Sequence, residues 1–203
     1  LIVIFQPELR KVLEKAVSVS PGRLRDQDTQ LPGLIAESLC KLAEARCGAI
    51  IVFPGREPIR EKLSGGYQLN ALPSMPLILS IFDPNSPGHD GAVLLEGNRL
   101  TQFGVRLPMS QSTRLSEEYG TRHHAAMGLA EQTDALALVV SEERGRVSAF
   151  VNGEMRPMAN AGAITDAILE HQREMGFLGR HSAPRIRKRT VFQVLISLVI
   201  ATI

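Results

Sequence analysis

Two short stretches carry the side chains best suited to chemistry: His89-Asp90-Gly91-Ala92 and Gly120-Thr121-Arg122-His123-His124. A carboxylate at Asp90 can bind a divalent cation through oxygen and polarise a hydroxyl, and His89 can add a nitrogen ligand. Gly91 has no side chain, so a ligand can come close to the backbone. The same residues also read as an ordinary turn, because Asp-Gly is a common turn dipeptide. In the second stretch, a Gly-Thr step opening a helix aims backbone N–H groups outward at the positive end of the helix dipole. Thr121 adds a hydroxyl, Arg122 a guanidinium fork suited to phosphate oxygens, and His123 and His124 can donate or ligate a metal. The plainer reading is a capped helix with a solvated first turn. Ser141-Glu142-Glu143 could bring a carboxylate to the same cleft or form an exposed hairpin turn. His89, Asp90, His123 and His124 could suit a zinc hydrolase, yet the chain has no His-Glu-x-x-His spacing and no paired Cys ligands.

The elements that must position these residues follow from the hydrophobic pattern. Apolar residues at helical spacing predict helices over 7–17, 34–45 and 161–175. Residues 18–30 mix Pro, Gly and both charges and predict a linker. A short apolar strand over 49–53 ends at Pro54-Gly55, and Ser64-Gly65-Gly66 predicts a break. The apolar run 75–82 reads as a helix, followed by the loop 83–88 that delivers the chain to His89 and Asp90. Strands over 92–95 and 99–107 flank the turn Glu96-Gly97-Asn98. A helix within 117–131 begins near Gly120-Thr121, and strands over 135–140 and 147–151 join through Glu143-Arg144-Gly145. Interleaved helices with short strand hairpins argue for an α/β fold with a mixed central sheet flanked by helices, not an all-parallel one. No internal repeat is visible.

Composition narrows the class. With 203 residues, 44% apolar and 22% charged, the chain suits one globular domain with appendages. A net charge of +2 is too small to suggest a nucleic-acid binder by itself. The charge is uneven, however: Arg185, Arg187, Lys188 and Arg189 precede an uncharged, almost wholly apolar run over 191–203. That run is shorter than the ~20 residues a bilayer needs. It reads as the start of a transmembrane helix, with a buried terminal helix as the alternative. If it spans, the basic cluster places the preceding domain in the cytoplasm. Leu1-Ile2-Val3-Ile4-Phe5 opens the chain without Met or a signal-peptide n-region, as the tail of a longer apolar segment would, so a fragment is expected. The expected organisation is an N-terminal juxtamembrane helix and linker over 1–30, a catalytic domain over 31–178, and a basic linker with the start of a membrane helix over 179–203. Cys40 and Cys47, seven apart on one helix face, suggest buried reduced thiols and not a disulfide or zinc framework.

Several blocks in register resemble the catalytic domain of diadenylate cyclases: residues 82–92, Leu107-Pro108-Met109-Ser110, Gly120-Thr121-Arg122-His123, Glu131-x-Thr133-Asp134-Ala135 and Val140-Ser141-Glu142-Glu143. The resemblance covers roughly 34–156, and Ile4-Phe5-Gln6-Pro7-Glu8-Leu9-Arg10 resembles the membrane-tethered branch, where it follows transmembrane helices. It implies an enzyme that joins two ATP molecules into cyclic di-AMP, releasing two pyrophosphates, with Mg²⁺ or Mn²⁺ as cofactor. By resemblance, Asp90 in the Asp-Gly-Ala motif would help activate the ribose 3′-hydroxyl, with Gly91, Arg122 and His123 completing the catalytic group. Gly91, Thr121, Arg122 and His123 would hold the triphosphate, and Leu107 would line the adenine pocket. Ala92, Arg106, Gly120, His124, Ser141 and Glu143 would complete the ATP surface. His89, Asp90 and Glu143 would face the metal. The two-fold product implies a symmetric homodimer, stable or transient, because one subunit holding one ATP cannot close the ring. The branch implies a cell-membrane location, reached through the flanking apolar segments, with the catalytic domain on the cytoplasmic side and no nucleic-acid partner.

Two positions depart from the family pattern. The motif reads Arg-His-Arg, whereas this chain has His124 in the last place. Arginine is permanently charged, whereas a histidine ordinarily titrates near 6.5. Either His124 suffices when protonated, or Arg106 or Arg114 supplies the charge, or catalysis is lost and a nucleotide-binding regulatory module remains. Arg106 stands where the family often has an aromatic, and its guanidinium could stack on adenine. A metal-dependent phosphohydrolase using the same His and Asp groups is the weaker alternative.

Overall fold

The sequence Ala-Ile-Ile-Val-Phe makes β1 (Ala49–Phe53) a strand with all five residues buried, so it needs a covering layer on both faces. A computed structural model of the chain describes residues 21–112, 115–116 and 119–176, with 21–29 described by backbone alone. The other strands are β2 (Ser64–Ala71), β3 (Ala92–Glu96), β4 (Arg99–Arg106), β5 (Leu136–Val140), β6 (Val147–Val151) and β7 (Glu154–Met158). They form one sheet in the order β2-β4-β3-β1-β5-β6-β7. Among the described residues only β1 and β3 pair in parallel; the other five pairings are antiparallel. The expected mixed sheet flanked by helices is therefore the observed one.

The two faces are covered unequally. Ala49, Ile51 and Phe53 pack with Ile35, Leu39 and Leu42 of α1 (Pro21–Glu44), Ile78 of α2 (Met75–Ile81), and Ile164 and Ile168 of α4 (Ala161–Glu174). Ile50 and Val52 pack on the opposite face with Ala126, Met127, Leu129 and Ala130 of α3 (Thr121–Gln132). Alternate residues of one strand thus feed two cores, as the period of two requires.

Three local expectations need correction. The predicted linker over 18–30 is helical from Pro21 onward, continuous with the helix predicted to begin at 34. Residues 22–31 contain one Gly and no Pro, so that stretch holds no strong helix breaker. Ser64-Gly65-Gly66 does not break the chain but opens the edge strand β2, with both glycines at positive φ (+66° and +88°). A Cβ on Gly66 would lie 2.7 Å from Val105 Cγ2, so β2 approaches β4 only because that carbon is missing. Strand β7 was not predicted. Asn152-Gly153, with φ of 52° and 71°, turns β6 into it, and Pro157 is tolerated because β7 is an edge.

Cys40 and Cys47 are free and half-buried, not buried, and Cys47 lies past the end of α1. The helix predicted over 7–17, Arg114, and the basic and apolar segments over 179–203 lie outside the described residues. Among the described residues no helix is long and apolar enough to cross a membrane.

The topology brings distant residues to one end of the sheet. Strand β3 starts immediately after Asp90-Gly91 and runs parallel to β1, which starts after Gly48. Antiparallel β5 ends there too, with Val140 opposite Ala49, and hands over to Ser141. Helix α3 begins over the same end, on the opposite face from α1.

Candidate active site

Arg122 lies in the first turn of α3, which is capped by the backbone of Gly120 and by no side chain. The helix is held in place by its own small residues. A Cβ on Gly128 would lie 2.2 Å from Pro108 O, so the 108–110 loop crosses directly against the helix. Ser110 N donates to His124 O (3.0 Å) and Ser110 Oγ to Glu131 Oε2 (2.9 Å), fixing that crossing. Thr133 Oγ1 donates to Leu129 O, and Asp134 accepts from Arg56 N and Glu57 N, which ties the end of the helix to the loop after β1. Several of the sequence blocks are therefore braces that aim Arg122.

The Arg122 guanidinium joins three segments. Nη1 donates to Glu142 Oε2 (2.7 Å), and Nη2 donates to Asp90 Oδ1 (3.1 Å), with a longer contact to His89 O (3.5 Å). The side chain is only 14% exposed, and it passes over Gly48, where a Cβ would lie 2.3 Å from Nη1. Its Nε is buried without a hydrogen-bond partner among the described residues. A guanidinium is permanently charged and presents a planar fork of donors, so a nearly buried one at a cleft is suited to phosphate.

Asp90 is the opposite case, with its side chain 84% exposed. His89 Nε2 lies 3.3 Å from Asp90 Oδ1, while His89 Nδ1 is 2.6 Å from Ser86 O. The short contact to a carbonyl assigns a hydrogen to Nδ1, so that in the neutral ring Nε2 carries the lone pair and faces a carboxylate oxygen. Two acceptors at that spacing need a proton or a cation between them. A histidine whose Nδ1–H is held by a backbone carbonyl is also the arrangement that orients Nε2 as a metal ligand. His89 and Asp90 thus fit a divalent cation. Glu143 does not complete a set with them: among the described residues no three His, Cys, Asp or Glu groups gather closely enough to hold an ion.

The remaining predicted residues divide into three groups. Gly120, Thr121, Arg122, His123, Ser141 and Glu143 line one cleft together with Val140 and Glu142. Gly91 and Ala92 are buried beside it. A Cβ on Gly91 would lie 2.3 Å from Gly104 C, so its bareness serves the approach of β4. Arg106, Leu107 and His124 are not part of that lining. Ser141 Oγ accepts from Arg144 N (3.2 Å) and shapes the turn that presents Glu142. Sequence reasoning missed Gly48, and it placed Glu142 in a block that could bring a carboxylate to the cleft without giving it a role. A glycine before a buried strand is a weak signal, and sequence could not say which of Glu142 and Glu143 would face Arg122.

His123 is 4% exposed, with its ring 5.0 Å from that of Tyr119 and 6.0 Å from that of Phe150. Burial pushes its imidazole down to about 4, and Arg144, His124 and Arg122 add to the shift. It is neutral at pH 7 and can offer a phosphate an N–H but no charge. Because the folded value lies below the ordinary 6.5, the unfolded chain binds the extra proton between those limits. Stability from this group is present above pH 6.5 and is lost as pH falls toward 4, by at most about 3 kcal/mol. His171, also lowered chiefly by burial, acts in the same direction. We expect the midpoint of thermal unfolding to drop between pH 6.5 and 4, and His123→Gln to flatten that slope. An unchanged slope in the variant would contradict the assignment.

Residues 36–155 match the family described as DisA bacterial checkpoint controller nucleotide-binding. The chain is 38% identical over 173 residues to the "Cyclic di-AMP synthase CdaA" of Bacillus subtilis (strain 168), covering 83% of this chain and 63% of that protein. It is 39% identical over 160 residues to a "Diadenylate cyclase" of Listeria monocytogenes, covering 76% of this chain and 59% of that one. The chain therefore spans under two thirds of the length of these relatives. Among solved structures, a double mutant of DacA from Staphylococcus aureus superposes with a TM-score of 0.67 at 32% identity, covering 70% of this chain and 95% of that chain. A hypothetical membrane spanning protein from Bacillus cereus gives 0.61 at 35% identity, with 77% and 79% covered.

Proposed function

Because this chain belongs to the DisA bacterial checkpoint controller nucleotide-binding family, we propose that it is a diadenylate cyclase condensing two ATP into cyclic di-AMP and two pyrophosphates. The observation that carries the reading is the Arg122 bridge: one guanidinium meets Asp90 on the side suited to a hydroxyl and Glu142 across the cleft suited to phosphates. The names of the Bacillus and Listeria relatives agree with it.

In this reading the ribose 3′-oxygen of one ATP attacks the α-phosphorus of the other. The new O–P bond forms as the bond from that phosphorus to the bridging oxygen breaks, and the electron pair leaves with pyrophosphate. The hydroxyl proton passes to the Asp90 carboxylate and on to water; a second, identical step closes the ring. Arg122 and the first turn of α3, capped by backbone alone, hold and orient the phosphates, with Thr121 and the neutral His123 as hydrogen-bond donors. A carboxylate alone is a weak base for a hydroxyl. Bound Mg²⁺ or Mn²⁺ would acidify the hydroxyl and offset phosphate charge, held by His89 and Asp90 and otherwise by phosphates and water.

The exposed Asp90 side chain suits a site that is finished by a second copy, face to face, as the symmetry of the product requires. The basic cluster before the apolar run over 191–203, and the likeness to a protein titled membrane spanning, favour attachment to the cell membrane with this domain on the cytoplasmic side. The test of function is incubation of the purified chain with ATP and Mg²⁺ or Mn²⁺, with products identified by mass. Cyclic di-AMP supports the cyclase. Bound but unconverted ATP would favour a nucleotide-binding regulatory module instead, and ADP or AMP as main product a phosphohydrolase. His124→Arg, which restores a charge independent of pH, is expected to raise turnover about threefold to tenfold above pH 7. No change there would mean that another cation already serves or that position 124, which does not line the cleft, does not reach the phosphates.

A further inference from the structure

We propose that Glu142 is a positioning residue that holds the Arg122 guanidinium in the orientation in which it meets phosphate, an inference that rests on reading the cleft as a phosphate site. An arginine has four flexible torsions before its fork, and fixing them costs conformational entropy that a partner must offset. Here the fork is anchored at two nitrogens. Nη2 holds Asp90 Oδ1 at 3.1 Å, and Nη1 holds Glu142 Oε2 at 2.7 Å. The first anchor is not permanent, because Asp90 is the group that must turn to a substrate hydroxyl. When it does, the bond to Glu142 is what keeps the guanidinium plane fixed over Gly48.

The contribution of Glu142 is directional and not electrostatic. With Asp90 and Glu142 both ionised, the three side chains carry a net charge of −1, which opposes a triphosphate. The Glu142 side chain is also 58% exposed, so much of its charge is screened by water. What it supplies is an acceptor at a fixed place, set by the turn that Ser141 Oγ braces through Arg144 N. A glutamine can supply the same acceptor without the charge. The role therefore predicts different fates for two substitutions at this one position.

The test uses the whole chain and two probes, ATP and inorganic tripolyphosphate, with binding read by calorimetry. Glu142→Ala is expected to weaken both by about tenfold, the loss of one charge-assisted hydrogen bond's worth of positioning. Glu142→Gln is expected to bind both as tightly as the parent chain or more tightly. A purely structural residue would show instead as a fall in the thermal midpoint of both variants. Binding by Glu142→Ala within twofold of the parent would overturn the proposal, as would Glu142→Gln weakened as much as Glu142→Ala. So would a parent chain that binds neither probe. Discrimination on tripolyphosphate with no cyclic di-AMP made from ATP would uphold the role of Glu142 and remove the cyclase reading, so the two failures are separable.

Discussion

Asp90→Asn is expected to lower cyclic di-AMP formation by about 10³-fold, within the range that general acid–base groups contribute. Asparagine keeps the shape and the oxygen that Arg122 Nη2 meets at 3.1 Å. It loses the charge that faces His89 Nε2 and the capacity to take a proton. The effect should therefore fall on turnover, with ATP binding changed by less than about threefold. Because the side chain is 84% exposed, the thermal midpoint should stay put. Steady-state rates by chromatography and binding by calorimetry check this together. Turnover within tenfold of the parent chain would mean that Asp90 is no more than the turn residue its Asp-Gly dipeptide also suggests.

The second large effect is at Arg122. Arg122→Ala removes the donor shared by three segments, and we expect kcat/KM to fall by about 10²- to 10³-fold, the usual range for a preorganised donor to developing charge. Arg122→Lys should recover little, since an ammonium cannot bridge Glu142 and Asp90 with separate nitrogens. Gly48→Ala tests the same point without touching a polar group. Its new carbon would lie 2.3 Å from Nη1 and would push away the far end of a flexible side chain, not backbone. We expect about 10- to 100-fold loss of activity, as a misplacement near 1 Å can cause, with the fold intact. The double variant should be little worse than Arg122→Ala, because both act through one group. Additive losses would show that Gly48 does something else.

Much of the fold was legible because its central strands are fully buried. The apolar runs at β1 and β5 and the alternation around Glu96-Gly97-Asn98 follow directly from burial on one or two faces. The edge strands were not legible, because an edge needs no apolar face. Tyr67 on β2 is 55% exposed, and β7 carries Glu154, Arg156 and Pro157. The helical stretch from Pro21 was missed because its mixed charge, proline and glycine resemble a linker. At the site, periodicity could mark the loop before β3 and the start of α3, but not their distance. Arg122 and Asp90 are 32 positions apart in sequence, and only the parallel pairing of β1 with β3 brings them to 3.1 Å. Gly48, and the pairing of Glu142 with Arg122, became visible only once that end of the sheet was assembled.

The most direct test of the central claim is the stoichiometry of products from ATP, followed by phosphorus NMR in the presence of Mg²⁺ or Mn²⁺. The cyclase reading predicts one cyclic di-AMP and two pyrophosphates for every two ATP consumed, with no net ADP or AMP. Orthophosphate with ADP, or AMP without the cyclic dinucleotide, would contradict it.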